Sequence, residues 1–156
     1  MVCYEVVRAR GHENIRATHR TTLEITREDH LSTRGDCIIG VSADKGVSDL
    51  SVGFKKCLKA SDTILVIVFE ARGFRDCVLA EGHPDLILTD KNKLIIRKST
   101  YIDPATLCVR ANKAAFDLKR ELIHVLRDPN TTLLMHLYAL RLNEITSVNA
   151  HSRGVL

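Results

Sequence analysis

The chain has 156 residues, 45% hydrophobic and 27% charged, a length and balance that fit one folded domain and exclude a disordered or low-complexity chain. Its formal net charge of +4 favours anionic partners without reaching histone-like density. The longest apolar runs, Ile64 to Phe69 and Thr132 to Leu142, fall far short of the ~20 residues of a membrane-spanning helix, so the expectation is a cytoplasmic protein without a membrane partner.

In chain order, Tyr4 to Arg10 reads as the first strand and ends on Gly11-His12. From 15 to 26, Ile15, Ala17, His19, Thr21, Leu23 and Ile25 alternate with Arg16, Thr18, Arg20, Thr22, Glu24 and Thr26, the period of a half-buried strand whose polar face is rich in Arg and Thr. Arg34-Gly35-Asp36-Cys37 has turn chemistry and leads into a strand from Cys37 to Val41. Ala43-Asp44-Lys45 then opens a helix whose apolar stripe is Leu50, Phe54, Cys57 and Leu58. Strands follow at Thr63 to Ala71 and Arg75 to Ala80, with Gly73-Phe74 as their hairpin connection.

Gly82-His83 comes next, then strands from Leu94 to Lys98 and from Thr106 to Arg110. Ala111-Asn112-Lys113 opens a second helix with the stripe Ala115, Leu118, Leu122, Val125 and Leu126, which stops before Pro129. A final strand runs from Thr132 to Leu140, and the polar stretch 143–156 is expected to be mobile or loosely docked.

Three blocks recur in order. Gly11-His12 returns as Gly82-His83, 71 positions on, and Val41-Ser42-Ala43-Asp44-Lys45 returns as Val109-Arg110-Ala111-Asn112-Lys113, 68 positions on. The strand from Ile64 to Arg72 matches Leu133 to Arg141. The expectation is an α+β fold of two tandem strand-rich repeats, 4–72 and 75–141, in one domain spanning 1–142. The repeats would pair about a pseudo-two-fold axis into one barrel or continuous sheet flanked by two helices, since neither could enclose a core alone.

The five cysteines are odd in number and include no Cys-x-x-Cys pair, so they read as reduced, mostly buried thiols. No Trp and only four Phe and three Tyr argue against an aromatic platform for stacked bases.

The run Gly11-His12-Glu13-Asn14 through Glu24, then Arg34 to Lys45, Gly82-His83-Pro84-Asp85, Arg97-Lys98-Ser99 and Ala111 to Ala115, resembles the archaeal family called domain of unknown function 371. The likeness covers residues 10 to 127 and implies an archaeal cytoplasmic protein of uncharacterised activity, with no catalytic residues to carry over. Asn112 stands where Asp44 stands in the first block, which argues against a role needing charge at both.

Asp44 and Asn112 are residue types that cap helices, and Lys45 and Lys113 beside them would place a positive charge next to exposed amides, a combination that holds phosphate or carboxylate. Arg16, Thr18, Arg20 and Thr22 on one strand face, with Arg97 and Ser99 from the second half, form a second candidate set for phosphate oxygens. His12 with Asp36 or Asp44 is the candidate acid–base set, and Cys37 a nucleophile only beside an activating base. His12 and His83 equally fit a shared structural role, and His19 a satisfied core histidine. His12, His19, Asp36 and Cys37 match no established zinc spacing, so no metal is expected, and no cofactor is specified.

Phosphate loops, dinucleotide fingerprints, nucleophile elbows and zinc-protease motifs are missing from the sequence. The leading expectation is a binding module for a phosphate-bearing partner such as RNA or a nucleotide. The alternatives are a small metal-independent hydrolase or transferase on a phosphorylated substrate, and a structural or protein-interaction subunit.

Overall fold

The computed structural model describes residues 2–143, so the tail expected at 143–156 lies, beyond Asn143, outside the described residues. Eight strands and two helices alternate as β1 (Val2–Arg10), β2 (Thr22–Thr26), β3 (Ile38–Gly40), α1 (Val52–Leu58), β4 (Thr63–Ala71), β5 (Phe74–Glu81), β6 (Lys93–Arg97), β7 (Thr106–Cys108), α2 (Arg120–Leu126) and β8 (Thr132–Arg141). Short 3-10 turns at Val47–Asp49 and Ala115–Asp117 precede the two helices. The class is α+β, as the sequence indicates.

The strands form two four-stranded sheets, ordered β1-β8-β4-β5 and β3-β2-β6-β7. The first is antiparallel throughout, and in the second the β2–β3 and β6–β7 pairs are parallel. The expected barrel does not close. The sheets meet edge to edge at single bridges, Arg10 to Val41 and Glu81 to Val109, and one residue later Ser42 and Arg110, each with φ of 52°, turn the chain out of line.

One face of the first sheet presents Leu65, Ile67, Phe69, Leu133, Met135 and Leu137 to the core. Leu23, Ile25, Leu94 and Ile96 of the second sheet join them there, with Phe54 and Leu58 from α1 and Leu122 and Leu126 from α2. Each such side chain, fully withdrawn from water, contributes ~1.5–3 kcal/mol. β4 and β5 are joined by a two-residue turn, Arg72-Gly73, in which both residues have positive φ; Phe74 is already the first residue of β5.

Two sequence expectations are corrected. Residues 15–21 are not strand: Ala17 has φ of 52°, and the amides of Thr18 and His19 both donate to the Asp36 carbonyl, at 2.9 and 3.1 Å, which leaves no ladder until Thr22. Nor do Asp44 and Asn112 cap helices. Gly46 and Ala114 donate their amides to Asp49 and Asp117, and the Ser51 hydroxyl caps α1 by accepting from the Phe54 amide. Asp44 and Asn112 instead extend the sheet edges, their Oδ1 atoms accepting from the amides of Arg8 (3.0 Å) and Leu79 (2.9 Å) while their own amides donate back to the same residues' carbonyls. An amide oxygen accepts as well as a carboxylate, so Asn112 costs the arrangement nothing.

Cys3 and Cys57 form a disulfide that ties β1 to α1, correcting the reading of all five cysteines as thiols. Cys37, Cys77 and Cys108 are free.

Candidate anion-binding cleft

The loop after β1 is pinned to α2 by backbone. Gly11 donates to the Thr131 carbonyl and His12 to the Leu126 carbonyl, both at 2.9 Å. A Cβ on Gly11 would collide with the Leu126 and Asp128 carbonyl oxygens, so only glycine fits this approach. The His12 ring then turns back, its Nδ1 accepting from the Asn14 amide at 3.0 Å, while the Asn14 side chain donates to the Leu31 carbonyl. Gly82 and His83 make the matching set, donating to the Thr63 and Leu58 carbonyls, with His83 Nδ1 accepting from the Asp85 amide. His12 is thus engaged as a turn-former.

Buried Ile15 and Ala17 anchor the loop while Arg16 and Thr18 project outward. The Arg120 guanidinium, from the first turn of α2, gathers the carbonyls of Ala17 (3.0 Å), Ala115 (2.8 Å), Phe116 (3.2 Å) and Leu118 (3.1 Å) and so fastens loop to helix. Arg16, Thr18 and Thr33 on one side and Arg120, Ile123, His124 and Arg127 on the other bound an open cleft of about 640 Å³, with Glu13 and Asn14 at its end. Three guanidinium groups face one carboxylate there. Among the described residues, the side chains of Arg16, His124 and Arg127 make no hydrogen bond or ion pair.

The other candidates lie elsewhere. Arg20 stacks over the exposed Phe116 ring, 5.0 Å from its centroid, and the Thr22 hydroxyl sits 3.0 Å from His19 Nδ1. His19 is half-buried and its Nδ1 also accepts from the Thr21 and Thr22 amides. Lys45 pairs with Glu5 at 2.9 Å and donates to the Val6 carbonyl, and Lys113 pairs with Asp76 at 2.6 Å. Burial works to raise both carboxyls, but the Ser51 amide and Lys45 hold Glu5 below its ordinary range, and Lys113 with the Lys119 and Cys77 amides does the same for Asp76. Both lysines are therefore committed to carboxylates.

Arg97 is equally committed, donating to the Thr106 hydroxyl and the Asp103 carboxylate at 2.9 Å each, and Ser99 accepts from the Tyr101 amide. Asp36 contributes its carbonyl to the loop, and Asp44 pairs with the Arg8 backbone. None of the acid–base set, His12, Asp36 and Asp44, lines the cleft. Burial and the neighbouring Glu24 carboxylate push the Cys37 thiol up to about 11, the opposite of an activated nucleophile. Among the described residues no group of three or more His, Cys, Asp or Glu is placed to hold a metal ion, and no helix is long and apolar enough to cross a membrane.

The sequence reading singled out Arg16 and Thr18 but missed Arg120, His124 and Arg127. Their signal is present: i, i+4 and i+7 form a polar stripe on α2, opposite the apolar stripe that was counted.

The profile of the family described as Domain of unknown function (DUF371) matches residues 7–140, and the chain belongs to that family. It is 47% identical over 123 residues to an uncharacterised protein of Methanocaldococcus jannaschii, MJ0206, a match covering 79% of this chain and 90% of that protein.

Proposed function

We propose that this member of the family is a binding module for a phosphate-bearing partner, RNA or a nucleotide, held in the cleft between the 13–18 loop and α2. The observation that carries the reading is the pair of unengaged guanidinium groups, Arg16 and Arg127, facing a third, Arg120, that is already fixed by backbone carbonyls. Arginine forks match phosphate oxygens in geometry, and Thr18 and Thr33 add hydroxyl donors. Arg20 on Phe116 extends the positive rim along the same loop, because Phe116 donates its amide to the His19 carbonyl.

The chain is a duplicated unit in this reading. The support is the matching contacts of Gly11 with Gly82, His12 with His83, Asp44 with Asn112 and Lys45 with Lys113, together with the twice-repeated element order. The site is built once, from the loop of the first half and α2 of the second: at the corresponding offsets Arg16 becomes Ile87, Arg120 becomes Val52 and Arg127 becomes Lys59. An enzymatic role draws no support from the scattered positions of His12, Asp36 and Asp44.

Native mass spectrometry of gently purified protein at low salt tests the reading. Retained RNA or nucleotide that is lost from an Arg16→Ala/Arg127→Ala variant agrees with it; retention unchanged by that variant places the ligand elsewhere.

A further inference from the structure

The first sheet has a second face. Both helices and the other sheet pack on its inner side, where Cys3, Glu5 and Val7 of β1 point toward α1 or the core. The outer side is covered by none of the described elements, yet its residues are not those of a solvated face. Strand register sets out its rows: Val2, Leu140, Ile64 and Glu81; then Tyr4, Tyr138, Val66 and Leu79; then Val6, His136, Val68 and Cys77; then Arg8, Leu134, Glu70 and Arg75. An antiparallel sheet with one wet face alternates apolar inward and polar outward. The central strands β4 and β8 instead carry Ile64, Val66, Val68, Leu134, Tyr138 and Leu140 outward, the composition of strands buried on both sides. On the flanking strands Val2 is 53% exposed, Tyr4 49% and Leu79 46%.

We propose that this outer face is the interface of a homodimer, two copies of the chain stacked sheet on sheet. Four strands at ~4.8 Å spacing and six residues at ~3.4 Å rise give a patch of roughly 400–500 Å². Two such faces remove about 1,000 Å² in total once side-chain relief is counted, which reaches the lower bound of a specific interface. The occupant is a second copy because the patch is apolar at its centre and carries Arg8 and Arg75 beside Glu70 at one end and Glu81 at the other. A two-fold axis lying in the interface across the strands reverses the rows, so that Arg75 of one copy lies over Glu81 of the other, beside the Glu70 and Arg110 that already pair with them, and Arg8 lies over Val2. The Arg8 guanidinium has no partner among the described residues. At the centre, the Tyr4 hydroxyl lies 2.7 Å from His136 Nδ1, and His136 Nε2 lies 3.7 Å from Glu70, so the polar groups of the face satisfy one another and leave apolar atoms for the partner.

Sedimentation velocity over a wide concentration range tests this on the full chain carrying Cys77→Ser, which prevents the exposed thiol on the same face from cross-linking copies. The expected result is a species of twice the 17.5 kDa chain mass. Val66→Lys, a charge placed at the centre of the face, weakens association about tenfold or more with an unchanged circular dichroism spectrum. Should Val66→Lys disturb the fold, Leu79→Lys at the edge strand gives the same test. A monomer at every concentration, or a dimer indifferent to both variants, overturns the proposal. So does a full chain that stays monomeric while a version ending at Asn143 dimerises, since the face would then belong to the chain's own residues 144–156.

Discussion

Lys113 Nζ lies 2.6 Å from Asp76 Oδ1, and the other Asp76 oxygen accepts from the Lys119 amide at 2.8 Å, so one buried carboxylate joins β5, the strand-to-helix loop and the start of α2. Glu5 performs the same service for Lys45 and the Ser51 amide. Replacing Asp76 by Ala leaves a cation and two amides without their acceptor. The expected loss of stability is about 2–4 kcal/mol, below that of a fully enclosed pair because the Lys113 ammonium keeps some contact with water. Urea denaturation followed by circular dichroism measures it, and a loss under about 0.5 kcal/mol would show the ion pair to be ornamental.

These carboxyls also set an acid limit. Asp76 and Glu5 titrate lower in the folded chain than in the unfolded one. Protons therefore bind the unfolded state first as pH falls. Their contribution is complete above the unfolded values of about 4 and is lost as pH drops through the lower folded values. Thermal melts between pH 7 and pH 2 should show a steep decline below about 4, and the decline should be shallower in Asp76→Asn.

The free thiols differ in reactivity. Cys77 is exposed, Cys37 has a thiol raised to about 11 by burial and by Glu24, and Cys108 is fully buried and raised further still. Alkylation at neutral pH followed by peptide mapping should modify Cys77 first, Cys37 slowly and Cys108 only on unfolding. The same map without reductant should recover Cys3 and Cys57 as one linked pair.

Glycine positions separate the tight contacts from the open ones. An alanine Cβ at Gly11 would meet the Leu126 carbonyl, and at Gly82 the Leu58 carbonyl, whereas at Gly53 in α1 it meets nothing. Gly11→Ala and Gly82→Ala should each lose roughly 2 kcal/mol or more, as overpacking against backbone does. Gly53→Ala should gain about 0.5–1 kcal/mol from helix propensity. Equal effects at all three sites would contradict the loop-to-helix contacts described above.

Strand positions were legible because Val, Ile and Thr cluster wherever a strand is buried on at least one side, as in β4 and β8. The segment 15–21 misled for a physical reason: its alternation is genuine, but Ala17 lies at positive φ and Asp36 takes two consecutive amides, neither of which a side-chain pattern reports. Asp44 and Asn112 are sheet-edge residues for the same kind of reason, since their side chains imitate a backbone partner. Within the site, Arg16 and Thr18 were readable, whereas Lys45, Lys113 and Arg97, candidate anion binders by sequence, are each held by a carboxylate. Their carboxylates, Glu5, Asp76 and Asp103, come in part from distant points of the chain.

Fluorescence anisotropy of a labelled single-stranded RNA and of a labelled nucleotide, titrated with protein at several salt concentrations, bears most directly on the cleft. Binding should weaken with salt, and Arg16→Ala and Arg127→Ala should each lower affinity and reduce the slope of log K against log salt by about 0.7 for RNA, while Lys45→Ala should leave the slope unchanged. Binding to neither probe, or a slope indifferent to Arg16 and Arg127, would contradict the assignment of the cleft as a phosphate site.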